Sequence, residues 1–331
     1  MLLERETFPR EKVCGDCLNP ACWPVLQRLE LEEKVRALPH GRLDRVDFIA
    51  INGGSVSIDL SAGAEIAVKR SLFDQLLLDR ARQLGTEVHE GVTVTQAKQE
   101  DSLEWTVDDT QGGSFRARIL VGADGRNSTV ARLLNFLPRP SRERVALQTH
   151  IALPAEFGNR VVLQFRPEGY SGQAPVGPNE LNLCLVSIPS EIASLKQWAT
   201  QHFHIPQEQT WRTITPLTRD PLAPARLNLF FVGDAARVVE PFTGEGISYA
   251  LSSGELAARA AAELIQGREA GAVAREFTKA HAALYHGRLW INQLARAAVL
   301  SPTIASLLFS AVRFRPALLR LLTGKVVRAM T

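Results

Sequence analysis

The spacing of apolar positions divides the chain into elements of two kinds. Trp23, Leu26, Leu29, Leu31 and Val35 recur at helical intervals and predict a helix over 20–38. Residues 42–68 alternate in short runs, DFIAI, VSIDL and EIAV, parted by the pair Gly53-Gly54 and by Gly63, the pattern of short strands. Leu72, Leu76, Leu77 and Ala81 form one stripe on a predicted helix from Arg70 to Leu84, which Gly85 closes. Strand-like runs follow at 86–96, 103–108 and 114–121, the last ending in Val121-Gly122-Ala123-Asp124-Gly125. From 143 to 229 the texture is antiparallel β, carried by VALQTHIAL, RVVLQF and LNLCLVSI, with one helix expected over 190–202. The run LNLFFVGDAA then predicts a buried strand, followed by a glycine-rich loop and an alanine-rich helix from Ile247 to Ile265. Everything beyond reads as helix, and the first residues, Met1 to Arg5, read as the end of a strand.

This order predicts an α/β chain in which a β-rich unit, 143–228, is inserted between two parts of another unit, 1–142 and 229–285. Residues 286–331 stand apart by charge. They carry seven basic side chains and no acid, so that of a net +3 the body holds −4 and the tail +7. Leucines recur at helical spacing between those bases. The tail therefore reads either as a helical pair covering the body or as an amphipathic surface helix on an anionic bilayer. Composition sets further bounds. With 45% hydrophobic and 22% charged residues the chain is globular, and no apolar run reaches the length of a membrane span. The opening lacks the apolar region of a signal peptide, so a cytoplasmic protein, at most peripheral at the inner membrane face, is expected. Nothing in the pattern suggests a nucleic-acid partner.

Two motifs carry the chemistry. In the stronger, the strand ending Phe231-Val232 delivers Gly233 and Asp234 into a turn, and Pro241-Phe242-Thr243-Gly244-Glu245-Gly246 then opens a helix. A carboxylate at a strand end accepts hydrogen bonds from a polyol, while free N–H groups at a helix start face an anionic or carbonyl-rich ring. An ordinary N-cap with turn glycines explains any one of these elements but not their order. The second motif is Gly122-Ala123-Asp124-Gly125-Arg126-Asn127-Ser128, where Ser128 is placed to cap a short helix. By itself it is a turn; its weight comes from lying ahead of the first motif at a spacing that fits an inserted unit.

Together these motifs resemble the second and third FAD-binding motifs of the flavoprotein hydroxylases that share the p-hydroxybenzoate hydroxylase fold. The resemblance extends over nearly the whole chain. Phe8-Pro9-Arg10-Glu11-Lys12-Val13-Cys14-Gly15-Asp16-Cys17-Leu18-Asn19-Pro20, with the Pro-Phe-Thr-Gly-Glu-Gly wording, is similar to the geranylgeranyl-reductase-like branch. It implies a Rossmann-like FAD-binding parallel sheet with an inserted antiparallel β substrate domain and a helical C-terminal tail. It also implies Glu4 on the adenosine ribose, Arg70 near the flavin, and Asp124 with Gly125 close to the pyrophosphate. Gly233 and Asp234 would meet the ribitol, while the run from Pro241 through Gly244, Glu245 and Gly246 would lie against the pyrimidine end of the ring. Catalysis would be flavin-borne, with Cys14 and Gly15 as loop candidates facing flavin or substrate.

One element of the pattern is missing. The family's Gly-x-Gly-x-x-Gly unit lies about 20 residues before the ribose acid, whereas three residues precede Glu4 and no such motif occurs elsewhere. The expectation is a sequence lacking the first strand and helix of its Rossmann unit through truncation or a mis-assigned start.

Other constellations are weaker. Cys14, Cys17 and Cys22 suggest a metal or dithiol, but the fourth ligand is missing, so no metal is expected. There is no Gly-x-Ser-x-Gly elbow and no halogenase Trp-x-Trp-x-Ile-Pro motif. His202 and His204 read as solvated and Trp211 as core, while Tyr170 and Trp290 read either as packing aromatics or as cavity lining. The resemblance thus implies an FAD-dependent oxidoreductase reducing C=C bonds of a hydrophobic isoprenoid or lipid, with NAD(P)H as donor. The alternatives are an aromatic or polyketide monooxygenase and, in another class, a non-catalytic remnant binding a partner or membrane through its tail.

Overall fold

A computed structural model describes residues 1–100, 104–138, 144–240 and 244–287. Pro241, Trp290 and the basic tail from 288 onward lie outside them. The described chain is mixed α/β, as expected. Its seven α-helices are α1 (Trp23–Arg28), α2 (Glu32–Arg36), α3 (Arg70–Gln83), α4 (Thr129–Leu133), α5 (Ile192–His202), α6 (Gly246–Ile265) and α7 (Ala270–Leu284).

Local signals explain several of these. Helix α3 buries Phe73, Asp74 and Leu78 and ends where Gly85 takes φ +86. There the Gly85 amide donates to the Arg82 carbonyl at 2.9 Å and the Thr86 amide to Ala81 at 3.0 Å, a Schellman closure. Ser128 Oγ accepts the Ala131 amide at 3.0 Å and starts α4. The segment expected as one helix over 20–38 is instead a 3₁₀ turn, α1 and α2. Glu30, at φ +57, breaks it, and the Leu31 amide closes back on the Leu26 carbonyl at 2.8 Å. The five-residue step from Leu26 to Leu31 is out of phase with a straight helix. The break turns Leu26, Leu31 and Val35 into one core cluster.

Parallel pairing survives in short pieces. Leu2–Leu3 pairs with Val88–His89, and Leu120–Gly122 pairs with Leu229–Phe231. Phe231 lies so close to Gly122 that a Cβ there would sit 2.5 Å from its ring. Leu229 and Phe231 pack on α4, and Phe230 on the opposite side packs on α6 and α7. Because both faces are covered, the strand is apolar throughout, as its sequence implied.

The main sheet has seven strands in the order Arg212–Ile214, Val145–Ala152, Glu180–Ser187, Gly169–Pro175, Arg160–Arg166, Arg45–Ile49 and Ser55–Asp59. All neighbours are antiparallel except 160–166 beside 45–49. The last two strands come from the N-terminal part of the chain, whereas the sequence pattern drew the inserted sheet wholly from 143–228. They join because Val46 and Phe48, paired with Ile58 and Val56, extend one apolar face across the sheet. The opposite face is sealed by α5, where Leu183 and Leu185 meet Leu195 and Ala199. Each such leucine contributes about 2 kcal/mol by leaving water.

Candidate functional site

The sheet face opposite α5 has an apolar end and a polar end. At the apolar end Phe48, Leu163, Phe165, Tyr170 and Val186 cluster with Val13 of the N-terminal loop. Tyr170 is 2% exposed and belongs to this packing. At the polar end Gln148, His150, Asn182 and Cys184 share the face, because each pairs across the same register: Gln148 opposite Cys184, His150 opposite Asn182. The Cys14–Gly15 loop lies on this end. The Cys14 carbonyl accepts Asn182 Nδ2 at 2.8 Å and Cys184 Sγ at 3.2 Å.

From that loop a charged group extends toward Asp234. Arg70, the first residue of α3, holds Asp74 through a bidentate pair at 2.8 Å, and its third nitrogen lies 3.7 Å from Cys14 Sγ. Burial opposes the Arg70 charge, but Asp74 and Cys14 outweigh it and hold its pKa above the ordinary value. Arg10 joins Asp74 at 3.1 Å. Lys12 feels Arg70 and burial, which lower its pKa, against Asp234 and Asp74, which raise it. Arg126 Nη2 meets Asp234 Oδ2 at 3.1 Å, while its Nη1 is buried with no partner among the described residues. Four cations thus gather around two carboxylates, an excess of positive charge that an anion would relieve.

The glycines open the same region to close approach. No heavy atom lies within 4 Å of where a Cβ would stand at Gly15, Gly125, Gly244 or Gly246. Gly233, at φ +55, donates its amide to Ser253 Oγ at 2.9 Å, which turns the chain at Asp234. Helix α6, 20 residues long, begins at Gly246 after Glu245, whose side chain makes no cap hydrogen bond to it, and its positive end faces this region. Asn19 ties this start to the N-terminal loop by donating to the Gly244 carbonyl at 3.3 Å and Ser248 Oγ at 3.4 Å. The Glu245 carboxylate is buried and accepts Tyr249 Oη at 3.3 Å.

The structure therefore brings together Cys14, Gly15, Arg70 and Asp234, and joins Gly244 to the loop just beyond them. Asp124 is exposed and accepts the Val130 amide at 3.0 Å, so one of its oxygens serves the start of α4. Glu4 is engaged locally, its carboxylate accepting the Glu6 amide at 2.9 Å. Sequence reading missed Lys12, Asn19, Asp16, Arg126 and His150 as site residues. Of these, Lys12, Asp16, Asn19 and Arg126 stand inside the motifs quoted above; only His150 lies outside them.

Cys17 and Cys22 are packing thiols. Burial pushes Cys22 up to about 12 and Cys17 well above its usual value. Among the described residues no His, Cys, Asp or Glu group is arranged to hold a metal ion, and no helix is long and apolar enough to cross a membrane. His202 is exposed and stacks on Trp198, and Trp211 packs against the cluster beneath α5.

Known proteins resemble this chain. The family model described as FAD binding domain matches residues 1–178. Conditioned medium factor receptor 1 of Dictyostelium discoideum is 27% identical over 303 residues, covering 81% of this chain and 59% of that protein. Digeranylgeranylglycerophospholipid reductase 1 of Methanococcoides burtonii is 27% identical over 268 residues, covering 72% of this chain and 62% of the relative. The chain thus spans about three fifths of the length of both. Among solved structures, pqsL of Pseudomonas aeruginosa, described as a probable FAD-dependent monooxygenase, superposes with TM-score 0.75 at 18% identity, covering 93% of this chain and 92% of that one.

Proposed function

Given that the chain belongs to the FAD binding domain family, we propose that it is an FAD-dependent oxidoreductase that reduces a C=C bond of a hydrophobic, isoprenoid or lipid, substrate. The donor set fits the cofactor. Asp234 offers a carboxylate to a polyol; Lys12 and the Arg126 nitrogen without a partner among the described residues suit an anionic link; the open glycines and the start of α6 suit a flat, carbonyl-bearing ring. When bound, FAD supplies hydride transfer. Of the remaining assignments, Glu4 on the ribose, Asp124 and Gly125 toward the pyrophosphate, and Pro241 and Glu245 beside the ring belong to the same proposal.

One observation carries the substrate class. The Cys14–Gly15 loop is hydrogen-bonded to the sheet whose adjoining surface is Phe48, Leu163 and Phe165. A substrate bound beside this loop would meet hydrocarbon on one side and the cofactor site on the other. The Methanococcoides burtonii reductase, with the Pro9-to-Gly15 wording, supports saturation of an alkene. The fold likeness to pqsL favours a second reading, oxygen-dependent hydroxylation.

The test is in two steps. Full-length protein mixed with FAD is expected to acquire a flavin absorbance spectrum. Protein that stays colourless would refute the cofactor assignment. The holoprotein, reduced anaerobically by NAD(P)H as proposed donor, is then offered a polyprenyl alkene in detergent. Saturated product without oxygen supports the reductase; product only with oxygen consumption selects hydroxylation. Peripheral membrane contact through 286–331 is likewise proposed, and unchanged co-sedimentation with anionic vesicles after deleting those residues would refute it.

A further inference from the structure

A second polar cluster lies at the end of α7, and its donors have nothing to donate to. Arg237 comes from the turn after Asp234, Tyr249 from the first turn of α6, and His281 and Tyr285 from the last turn of α7 and its cap. Their rings are packed together. Tyr249 stacks on Tyr285 at 4.4 Å, and the His281 ring lies 5.2 Å from Tyr285. The Arg237 guanidinium sits 5.1 Å from the centre of the Tyr285 ring. Val239 and Leu284 pack against the two tyrosines.

This packing leaves three polar groups unserved. Tyr285 is 1% exposed and His281 4%, and Tyr285 Oη and His281 Nε2 are buried with no hydrogen-bond partner among the described residues. Arg237 is half-buried, and its side chain makes no hydrogen bond or ion pair among those residues. A buried hydroxyl or imidazole without a partner is costly, and folded proteins supply one from a ligand, an ion or water. The chemistry narrows that choice. A guanidinium only donates, a phenol hydroxyl can donate, and nothing in the described chain keeps the imidazole hydrogen off Nε2. The nearby carboxylates are engaged, Asp234 by Arg126 at 3.1 Å and Glu245 by Tyr249 Oη at 3.3 Å. The chain that follows brings no other, because residues 286–331 contain no acid. Three donors and one uncompensated positive charge therefore converge without an acceptor.

We propose that Arg237, Tyr285 and His281 hold a small monovalent anion of halide size, which ties the end of α7 to the turn that carries Asp234. Two of the three donating atoms are closed to solvent, so the occupant sits among the rings and is small. Arg237 supplies the charge, and Tyr285 Oη and His281 Nε2 supply the directional bonds. The anion opposes burial and Arg237, the two influences that lower the His281 pKa to about 4. The charged and titratable groups around His281 are Arg237 and Asp234 from the turn, Tyr249 and Glu245 from α6, and Tyr285 beside it. The site is independent of the proposed flavin reaction.

Bromide is the probe, because it scatters anomalously. Crystals of the full chain grown without halide and soaked in bromide are expected to show an anomalous peak bounded by Tyr285 Oη, His281 Nε2 and Arg237. Binding in solution is read from the histidine signals of nitrogen-15-labelled protein, titrated with pH in bromide or in methanesulfonate at equal ionic strength. Bromide is expected to raise the His281 pKa by about one unit, a tenfold gain for the protonated ring. Tyr285→Phe keeps the ring stack and the guanidinium above it but loses the hydroxyl, and should need roughly tenfold more bromide for the same shift. Arg237→Gln removes the charge and should abolish the shift. The measurements on the parent stand whether or not either variant folds. An ordered water with no anomalous signal, identical His281 titrations in the two salts, or an unchanged bromide response in Tyr285→Phe would each overturn the proposal. A peak in the crystal with no response of His281 in solution, binding at crystal concentration only, overturns it as well.

Discussion

Arg144 and Glu240 form an ion pair with side chains each 2% exposed, at 2.6 and 3.0 Å, joining residues 96 apart in the chain. It fastens the start of strand 145–152 to the end of the turn that carries Asp234. At an effective dielectric near 20 and separations near 3 Å the attraction is about 5 kcal/mol. Removing the two ions from water costs several kcal/mol each, so the pair as a whole is close to neutral for stability. The cost of breaking it is different. Arg144→Met takes the guanidinium away from a carboxylate closed to water, and Glu240→Gln takes the charge partner from Arg144, each expected to cost about 3–5 kcal/mol. That is a large share of the roughly 5–15 kcal/mol that holds a domain folded. The double variant removes both charges together and should lie within about 1 kcal/mol of the parent. Urea unfolding of the full chain, singles and double, measures all three. Either single costing under about 1 kcal/mol, or a double variant losing the sum of the two, would contradict this account of the pair.

A Cβ on Gly41 would sit 1.8 Å from the Pro175 carbonyl oxygen, so Gly41→Ala should destabilise by about 2–3 kcal/mol through forced separation of two strands, read as a lowered thermal midpoint. Asp234→Ala should weaken FAD binding by about tenfold through one lost charge-assisted hydrogen bond, measured by flavin fluorescence titration; an unchanged affinity would remove Asp234 from the cofactor site. Burial, then Arg237, lower the His281 pKa to about 4. The folded state thus binds fewer protons than the unfolded one, and stability is full above about pH 6.5 and lost as pH falls toward 4, by about 3 kcal/mol. In His281→Phe that stretch of the pH–stability curve should be flatter, and an identical acid slope in the two proteins would refute the assignment.

Elements specified by neighbours in sequence are legible in the chain alone. The stripe of α3 with Gly85, the Ser128 cap, helix α6 and the apolar strand leading to Asp234 all form as their patterns imply, because capping and amphipathic burial are decided within a few residues. Cys14, Gly15, Arg70, Asp234 and Gly244 stand out in the chain through its resemblance to a known family. Even a local segment can mislead: 20–38 has a helix's composition, yet the phase slip between Leu26 and Leu31 is resolved by core packing rather than by propensity.

What the chain could not announce are contacts between distant residues. Asp16 meets His150 across 134 positions, and Asn19 meets Gly244 across 225. No periodicity links such partners; strand register does. The pairing of 145–152 with 180–187 sets Gln148, His150, Asn182 and Cys184 on one face, and the turn at Asp16 brings a carboxyl group to it. A solvent-exposed Asp and His would be ordinary polar residues. Exclusion of water, which folding imposes on both together, makes their 3.0 Å contact matter to the loop that carries Asp16.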